Sequence, residues 1–542
     1  MNDGLGSTDR ARAAQGAGLV LLTLASAQFL MTLDSSVMNV SIATVAKDVD
    51  TSVTGIQLAI TMYTLVMAAL MIAGGKVGQI IGRRRAFAIG AVIYGSGSFV
   101  TAIAPNLFVL ILGWSVLEGL GAALILPSIV ALVASNFDRA ARPRAYGLMA
   151  AAGAIAVAVG PLIGGLCTTY LSWRVVFLGE VVMVVVILAL TRRITGTPAD
   201  RSVRLDIVGT VLSALGLGLI VYAILQAGSW GFVRPRDGQP SWLRLSPVIW
   251  LLLAGGVVLL VFVDWQRLRQ RRGHAALLDP ALLAIRPLRG GLTALFFQFL
   301  LQAGLFFTVP LFLSVALGLS AVETGVRILP LSVALLVTAI GVPRLWPHAS
   351  PRRVTRIGLL LLLLGIVVFM GALEVGVGAW IITWPMILAG LGSGALASQL
   401  GSVTVSSAPD EQSGEVGALQ NTVTNLGASI GTALAGAVLI AALTTSFLAG
   451  VRDNPDVPSA LADTAQTELA SGVPFISDAD LSTALGDAGV PADVSRAIVD
   501  ENEEARIDGL REALAVLALM ALAGLLLARS IPTRQPGDVT SV

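Results

Sequence analysis

Gly153-Ala-Ile-Ala-Val-Ala-Val-Gly160-Pro161-Leu-Ile-Gly164-Gly165 is apolar from end to end, yet it contains four glycines and a proline. In water such a run makes a poor helix. In lipid, small residues let helices approach closely, and a backbone group freed by proline finds a partner on a neighbouring helix. The stretch therefore reads as a packing and bending segment inside a bilayer, and it points to an all-α polytopic membrane protein.

The rest of the chain agrees with that reading. Of 542 residues, 55% are hydrophobic and only 13% charged, a balance that excludes a soluble protein of two or three domains. Basic and acidic residues number 35 and 33, so any asymmetry of function has to come from where the charges lie. A single cysteine, Cys167, excludes an internal disulfide and a cysteine-based metal cluster, and two histidines argue against a histidine metal site. Lysine occurs only at 47 and 76, and the other basic residues are arginine; with abundant alanine and glycine this composition fits a GC-rich bacterial genome.

Runs long enough to cross about 30 Å of hydrocarbon recur at about 18–46, 54–75, 86–104, 107–134, 145–168, 175–191, 206–227, 247–264, 291–317, 321–342, 357–373, 379–402, 414–447 and 511–529, which predicts fourteen transmembrane helices. Behind the polar leader Met1 to Gln15, Ala25-Ser26-Ala27 has the form of a signal-peptidase site, but the apolar run continues well past it, which favours a retained first helix. Lys76 and Arg83 to Arg85, Arg139, Arg142 and Arg144, Arg192, Arg193, Arg201 and Arg204, the group from Arg267 to Arg289, and Arg344 to Arg356 all fall on one side. The positive-inside rule then places both termini in the cytoplasm.

An internal echo suggests two copies of a six-helix unit. Gly119-Leu-Gly121-Ala-Ala in the fourth span returns as Gly390-Leu-Gly392-Ser-Gly394 in the twelfth, and Tyr146-Gly147-Leu in the fifth as Val416-Gly417-Ala in the thirteenth. The expected plan is an N-terminal six-helix bundle over 1–192, a linker over 193–290 with two inserted helices and a basic cytoplasmic loop, a C-terminal six-helix bundle over 291–530, and a cytoplasmic tail over 531–542. Repeated halves with a site between them are the architecture of secondary transporters. The acidic insertion 449–508 is expected to hold short amphipathic helices at about 458–470 and 478–488 and to form an external cap. Its charge either gathers cations or simply solvates the surface.

Several runs carry a family resemblance. Gly153 with Gly160-Pro161-x-x-Gly164-Gly165 resembles the antiporter motif on the fifth helix of drug:proton antiporters of the major facilitator superfamily. Leu33-Asp34-Ser35-Ser36-Val37-Met38-Asn39-Val40 resembles the opening signature of the fourteen-helix branch, and Ser172-Trp173-Arg174-Val-Val-Phe177 a second signature of that branch. Gly75-Lys-Val-Gly-Gln79-Ile-Ile-Gly82-Arg83-Arg84-Arg85 is similar to the superfamily's cytoplasmic loop motif, with Gln79 where the family has an acid thought to latch the two halves. Gly304 to Leu313 and Thr324-Gly325-x-x-x-Leu-Pro330 resemble paired signatures in the second half. The resemblance implies a major facilitator fold of two six-helix bundles plus two inserted central helices. It also implies an exporter driven by a proton gradient, without cofactor, working as a monomer in the bacterial cytoplasmic membrane.

Three acids lie within apolar spans: Asp34 in the first, Glu118 in the fourth and Glu180 in the sixth. A charged carboxylate at the centre of a bilayer costs about 2.5–3.5 kcal/mol, so such groups face a cavity or a partner and are functional until shown otherwise. Glu118 stands where the family has glutamine, and Ser115, one turn away, replaces the family's arginine; Glu180 replaces an asparagine. All three are expected to couple protons, although a structural pairing with Arg174 or with hydroxyls is the competing role. Gln298, Gln302, Asn421, Asn425, Phe306 and Trp384 are candidates for lining a substrate cavity. Interhelical hydrogen bonding or packing would use the same residues. Gly153, Gly160, Pro161, Gly164 and Gly165 are candidates for the hinge, and Gly75, Gln79, Gly82 and Arg83 for the gate.

The expected activity is proton-coupled export of small amphipathic, often cationic molecules, with membrane lipids as surroundings and no nucleic acid or metal involved. A lipid or secondary-metabolite exporter on the same fold is the alternative within transport, and a non-transporting receptor or scaffold the alternative outside it. An enzyme is not expected: His274, His348 and Cys167 share no plausible site, and no phosphate-binding loop is present.

Overall fold

The structure is a computed structural model, and it describes residues 4–137, 142–196, 199–200, 204–236, 239–346, 348–407, 412–469 and 472–533. Arg139, Arg201 and most of the tail, used above for orientation and domain plan, lie outside the described residues.

The first half runs α1 (Gly4–Asp48), α2 (Val53–Ile81), α3 (Arg83–Ala102), α4 (Leu107–Leu110), α5 (Gly119–Asn136), α6 (Arg142–Tyr170) and α7 (Trp173–Thr191). A π-helical segment, Ile111–Glu118, joins α4 to α5 without a break, so the three form one span. The inserted pair is α8 (Ile207–Trp230) and α9 (Pro247–Arg271). The second half runs α10 (Arg286–Leu311), α11 (Ala321–Leu345), α12 (Pro351–Ala372), α13 (Thr383–Val405), α14 (Ser413–Asp453), the short α15 (Ser459–Glu468) and α16 (Asp478–Asp487), and α17 (Ala492–Leu527). Among the described residues the only β pairing is an isolated bridge between Trp242 and Leu245.

Among the described residues, thirteen helices are long and apolar enough to cross a membrane. The expected span at 86–104 is also a helix, α3, but Gly90, Gly95, Ser96, Gly97 and Ser98 dilute its apolar character. Those small residues have a packing reason: Gly90 and Gly121 approach each other's backbone, Gly97 lies against Gly113 and Glu118, and Gly95 against Val184. α3 thus sits close to the fourth span on one side and α7 on the other.

Two boundaries differ from expectation. α1 starts at Gly4 rather than near residue 18, and it passes through Ala25-Ser26-Ala27 without interruption, with Leu24 and Ala27 buried. The last helix starts at Ala492 rather than near 511: Val494, Ala497, Ile498 and Ala505 form a buried stripe that extends it beyond the apolar stretch. The insertion is correspondingly shorter, and it contains two short helices, α15 and α16, close to the expected segments. Its tie to the helix below is a buried Arg506, which donates to both carboxylate oxygens of Asp478 at 2.6 and 2.5 Å and to the Ile476 carbonyl at 2.9 Å.

The halves meet along two seams, α6 with α11 and α2 with α14. On the first, a Cβ on Gly165 would strike the backbone of Ala321 and Val322, and one on Gly325 the carbonyl of Pro161. Ser332 also donates to the Val157 carbonyl at 3.1 Å. On the second, Gln57 Nε2 donates to the carbonyls of Thr432 (3.1 Å) and Ala433 (3.3 Å), and Ser429 to that of Thr61 (3.1 Å). The small residues therefore permit contact of backbone with side chain or backbone, the packing that substitutes for a hydrophobic driving force in lipid.

Candidate functional site

Asp34, Glu118 and Glu180 come from three different helical spans and converge: one carboxylate oxygen of each lies within 4.8 Å of the others, and all three are buried. Asp34, on α1, receives the indole Nε1–H of Trp114 at 2.9 Å to Oδ1 and 3.0 Å to Oδ2. Trp114 is held flat against Tyr63 of α2, ring centroids 5.0 Å apart and planes 11° from parallel. Glu118 Oε1 accepts from Thr101 Oγ1 at 3.2 Å. Glu180 Oε2 accepts from Ser98 Oγ at 3.0 Å and from Tyr94 OH at 3.3 Å.

Both Trp114 and Glu118 lie in the π-helical segment. A π turn adds a residue to the turn and shifts the side chains that follow, and such turns are frequent at functional sites. Ser115, in the same segment, donates to the Ala59 carbonyl at 2.7 Å, so it fastens the segment to α2 where the family's arginine would stand.

The cluster is electrostatically incomplete. No salt bridge joins any of the three acids to a basic residue among the described residues. Arg174 is engaged elsewhere: it pairs with Asp48 and donates to the Ala104 carbonyl at 2.7 Å, while Trp173 Nε1 donates to Asp48 at 2.8 Å. Glu118 Oε2 and Glu180 Oε1 are buried without a hydrogen-bond partner among the described residues. Like charges repel steeply at such range where burial removes the screening, and the three acids bring no basic partner among the described residues. Carboxylate oxygens suit hard cations, and here indole and hydroxyl donors already bind oxygens of each acid.

The other candidates are dispersed. Gln298 is buried on α10, its Nε2 3.5 Å from the Ser393 carbonyl and its Oε1 without partner. Gln302, Phe306, Asn421 and Asn425 are half-buried, and Asn425 donates to the Asn421 carbonyl at 2.8 Å. Trp384 is 69% exposed, as is Trp380 one turn earlier. An exposed amphipathic ring of this kind suits a membrane interface.

In the hinge stretch, a Cβ on Gly160 would run into Ser36, and one on Gly164 would come within 2.9 Å of Val37 Cα, so α6 lies directly on the Asp34 segment of α1. Gly153 has only ordinary contacts, 3.7 Å to Gln28 and Thr32. In the gate loop, Gly82 takes φ 93°, a conformation open to glycine, and Arg83 Nη1 caps α2 by donating to the Gly75 carbonyl at 2.6 Å. The Gln79 carbonyl accepts from the Asp200 amide at 2.9 Å. Gln79, Lys76 and Arg83 border a small cleft with Leu277 and Glu415 of the first turn of α14.

Trp114, Tyr63, Tyr94, Ser98 and Thr101 were not singled out from the sequence. Their signal is faint: single polar or aromatic residues within apolar helices, none in a recognised pattern. Their common property is proximity to a carboxylate that only the fold provides.

Fold and site together define a membrane transporter, and the chain belongs to the Major Facilitator Superfamily, whose family model matches residues 24–432. It is 32% identical over 450 residues to the puromycin resistance protein pur8 of Streptomyces alboniger, covering 82% of this chain and 85% of that one. It is 27% identical over 522 residues to the multidrug efflux pump LfrA of Mycolicibacterium smegmatis, covering 96% and 97%. Among solved structures it resembles an inward-facing bacterial homologue of the human lysosomal transporter Spinster, with a TM-score of 0.59, 14% identity and coverage of 95% and 98%.

Proposed function

We propose that the protein exports small amphipathic, often cationic molecules across the bacterial cytoplasmic membrane in exchange for protons, and that Asp34, Glu118 and Glu180 are its proton-carrying group. The observation that carries this reading is the buried, unpaired trio with oxygens within 4.8 Å of one another. The relatives' names, a puromycin resistance protein and a multidrug efflux pump, support the class of cargo.

In the proposed cycle, a proton arriving from outside neutralises the trio and favours the packing seen here, in which α6 lies on α1 and against α11. Loss of the proton to the cytoplasm leaves uncompensated negative charge inside the N-terminal bundle. That charge is relieved when the bundle opens to water or when a cationic substrate approaches. Substrate and proton thus compete for the same electrostatic need. The basic loops, read as the cytoplasmic side, support a reading with both termini in the cytoplasm and the acidic insertion outside. Gln298, Gln302, Asn421, Asn425 and Phe306 contribute polar and aromatic lining in the C-terminal bundle.

The test is transport of a fluorescent cation by the protein in liposomes with and without an imposed pH gradient. Gradient-driven accumulation is expected for the wild type and should fall to background for both Asp34→Asn and Glu118→Gln. Undiminished accumulation by both variants would refute the assignment.

A further inference from the structure

A second concave site lies at the basic-loop end, outside the N-terminal bundle's core. The start of α3 and the end of α7 enclose a cleft of about 740 Å³. Its walls carry Arg84, Arg85 and Arg192, together with Ile81, Ala88 and Leu188. None of the three arginines makes a hydrogen bond or ion pair among the described residues, whereas the adjacent Arg83 is committed to the Gly75 carbonyl. Arg84 passes close to Gly196, and Arg85 and Arg192 are exposed. Three guanidinium groups in one cleft, none in an ion pair among the described residues, form an anion site of high local potential.

The same two helices are apolar and outward-facing farther along. Ile89 and Val92 of α3 are 47% and 53% exposed, and Val182, Val185 and Val186 of α7 are 64%, 60% and 53% exposed. A ligand anionic at one end and a long hydrocarbon at the other matches both features. A free phosphate would satisfy the arginines and leave the apolar lane unused.

We propose that this cleft binds an anionic glycerophospholipid of the adjacent leaflet, its phosphodiester on Arg84, Arg85 and Arg192 and its acyl chains along the exposed faces of α3 and α7. Basic pockets between transmembrane helices on the cytoplasmic side are the expected location for such headgroups. The site is independent of the proton-carrying group and does not rest on the proposed coupling.

Native mass spectrometry of the detergent-solubilised full chain, titrated with phosphatidylglycerol or phosphatidylcholine, tests this directly. The wild type should retain phosphatidylglycerol in preference. Arg84→Gln/Arg85→Gln/Arg192→Gln should weaken that binding by at least about tenfold and abolish the preference. A charge-matched control, Arg271→Gln/Arg344→Gln/Arg353→Gln, removes exposed charges from the same end of the molecule and should leave it intact. Wild-type thermal unfolding midpoints in both triple variants would show that each is folded; if the cleft variant unfolds, the single Arg192→Gln is read in its place. Retained preference in the cleft variant, equal loss in the control, or displacement by inorganic phosphate as effective as by lipid would each overturn the proposal.

Discussion

At the scale of single residues, the site turns on how buried polar atoms are paired. Trp114 gives its one N–H to Asp34 and its ring face to Tyr63. Trp114→Phe keeps an aromatic ring on Tyr63 and leaves Asp34 without that donor. We expect it to lower stability by about 1–3 kcal/mol, measured by thermal unfolding in detergent, and to shift the pH dependence of transport. Ser98→Ala is expected to do less, since Tyr94 still donates to Glu180. The three acids themselves were legible from the sequence because a carboxylate in lipid is expensive. Their convergence was not, because no spacing within one helix encodes contact between α1, the π-helical segment and α7. The π turn escaped for a related reason: nothing in Ile111–Glu118 marks a π winding in the sequence, and its contacts with Gly97 and Ala59 come from other helices.

At the scale of elements, glycines differ in what they do although they look alike in the sequence. Gly165 and Gly325 hold the seam between α6 and α11, whereas Gly153 borders only side chains at 3.7 Å. Gly165→Ala should therefore destabilise by about 1–3 kcal/mol and depress transport. Gly153→Ala should stay within about 0.5 kcal/mol of the wild type. Melting curves and transport rates of the two variants side by side check this, and equal effects would contradict it. The acidic insertion offers a pH-dependent element. Asp480 of α16 accepts from Ser477 and from Lys47 of α1 at 2.9 Å, and these contacts hold its carboxyl below the usual aspartate range. A carboxyl depressed in this way stabilises the docked insertion above the ordinary aspartate range, and the contribution fades as the pH falls through its lowered value. Both partners are largely exposed, so the effect is small and salt-sensitive. Spin-label distances between α16 and the end of α1 should lengthen on acidification in the wild type and be pH-independent in Asp480→Asn.

At the scale of the whole molecule, the hydrophobic pattern gave the position of nearly every helix, while the two bundles and the inserted pair were read from the echo of Gly119-Leu-Gly121 in Gly390-Leu-Gly392 and from the family resemblance. It missed where helices outlast their apolar stretches: α1 and α17 continue past the expected ends, in α17 because an amphipathic stripe packs on neighbouring protein instead of lipid. It left open whether Trp384 lines a cavity or faces lipid, because an aromatic residue at a helix start reads the same whether it meets substrate or the membrane interface. The central claim is that proton movement passes through the trio in the N-terminal bundle while cargo is handled between the bundles. The most direct measurement is substrate-induced proton movement in liposomes reporting internal pH, comparing the wild type with Asp34→Asn/Glu118→Gln/Glu180→Gln, with downhill substrate flux recorded in the same vesicles. The account predicts an internal pH change on substrate addition for the wild type and none for the triple variant, even where downhill flux persists. A pH change of wild-type size in the triple variant would contradict it.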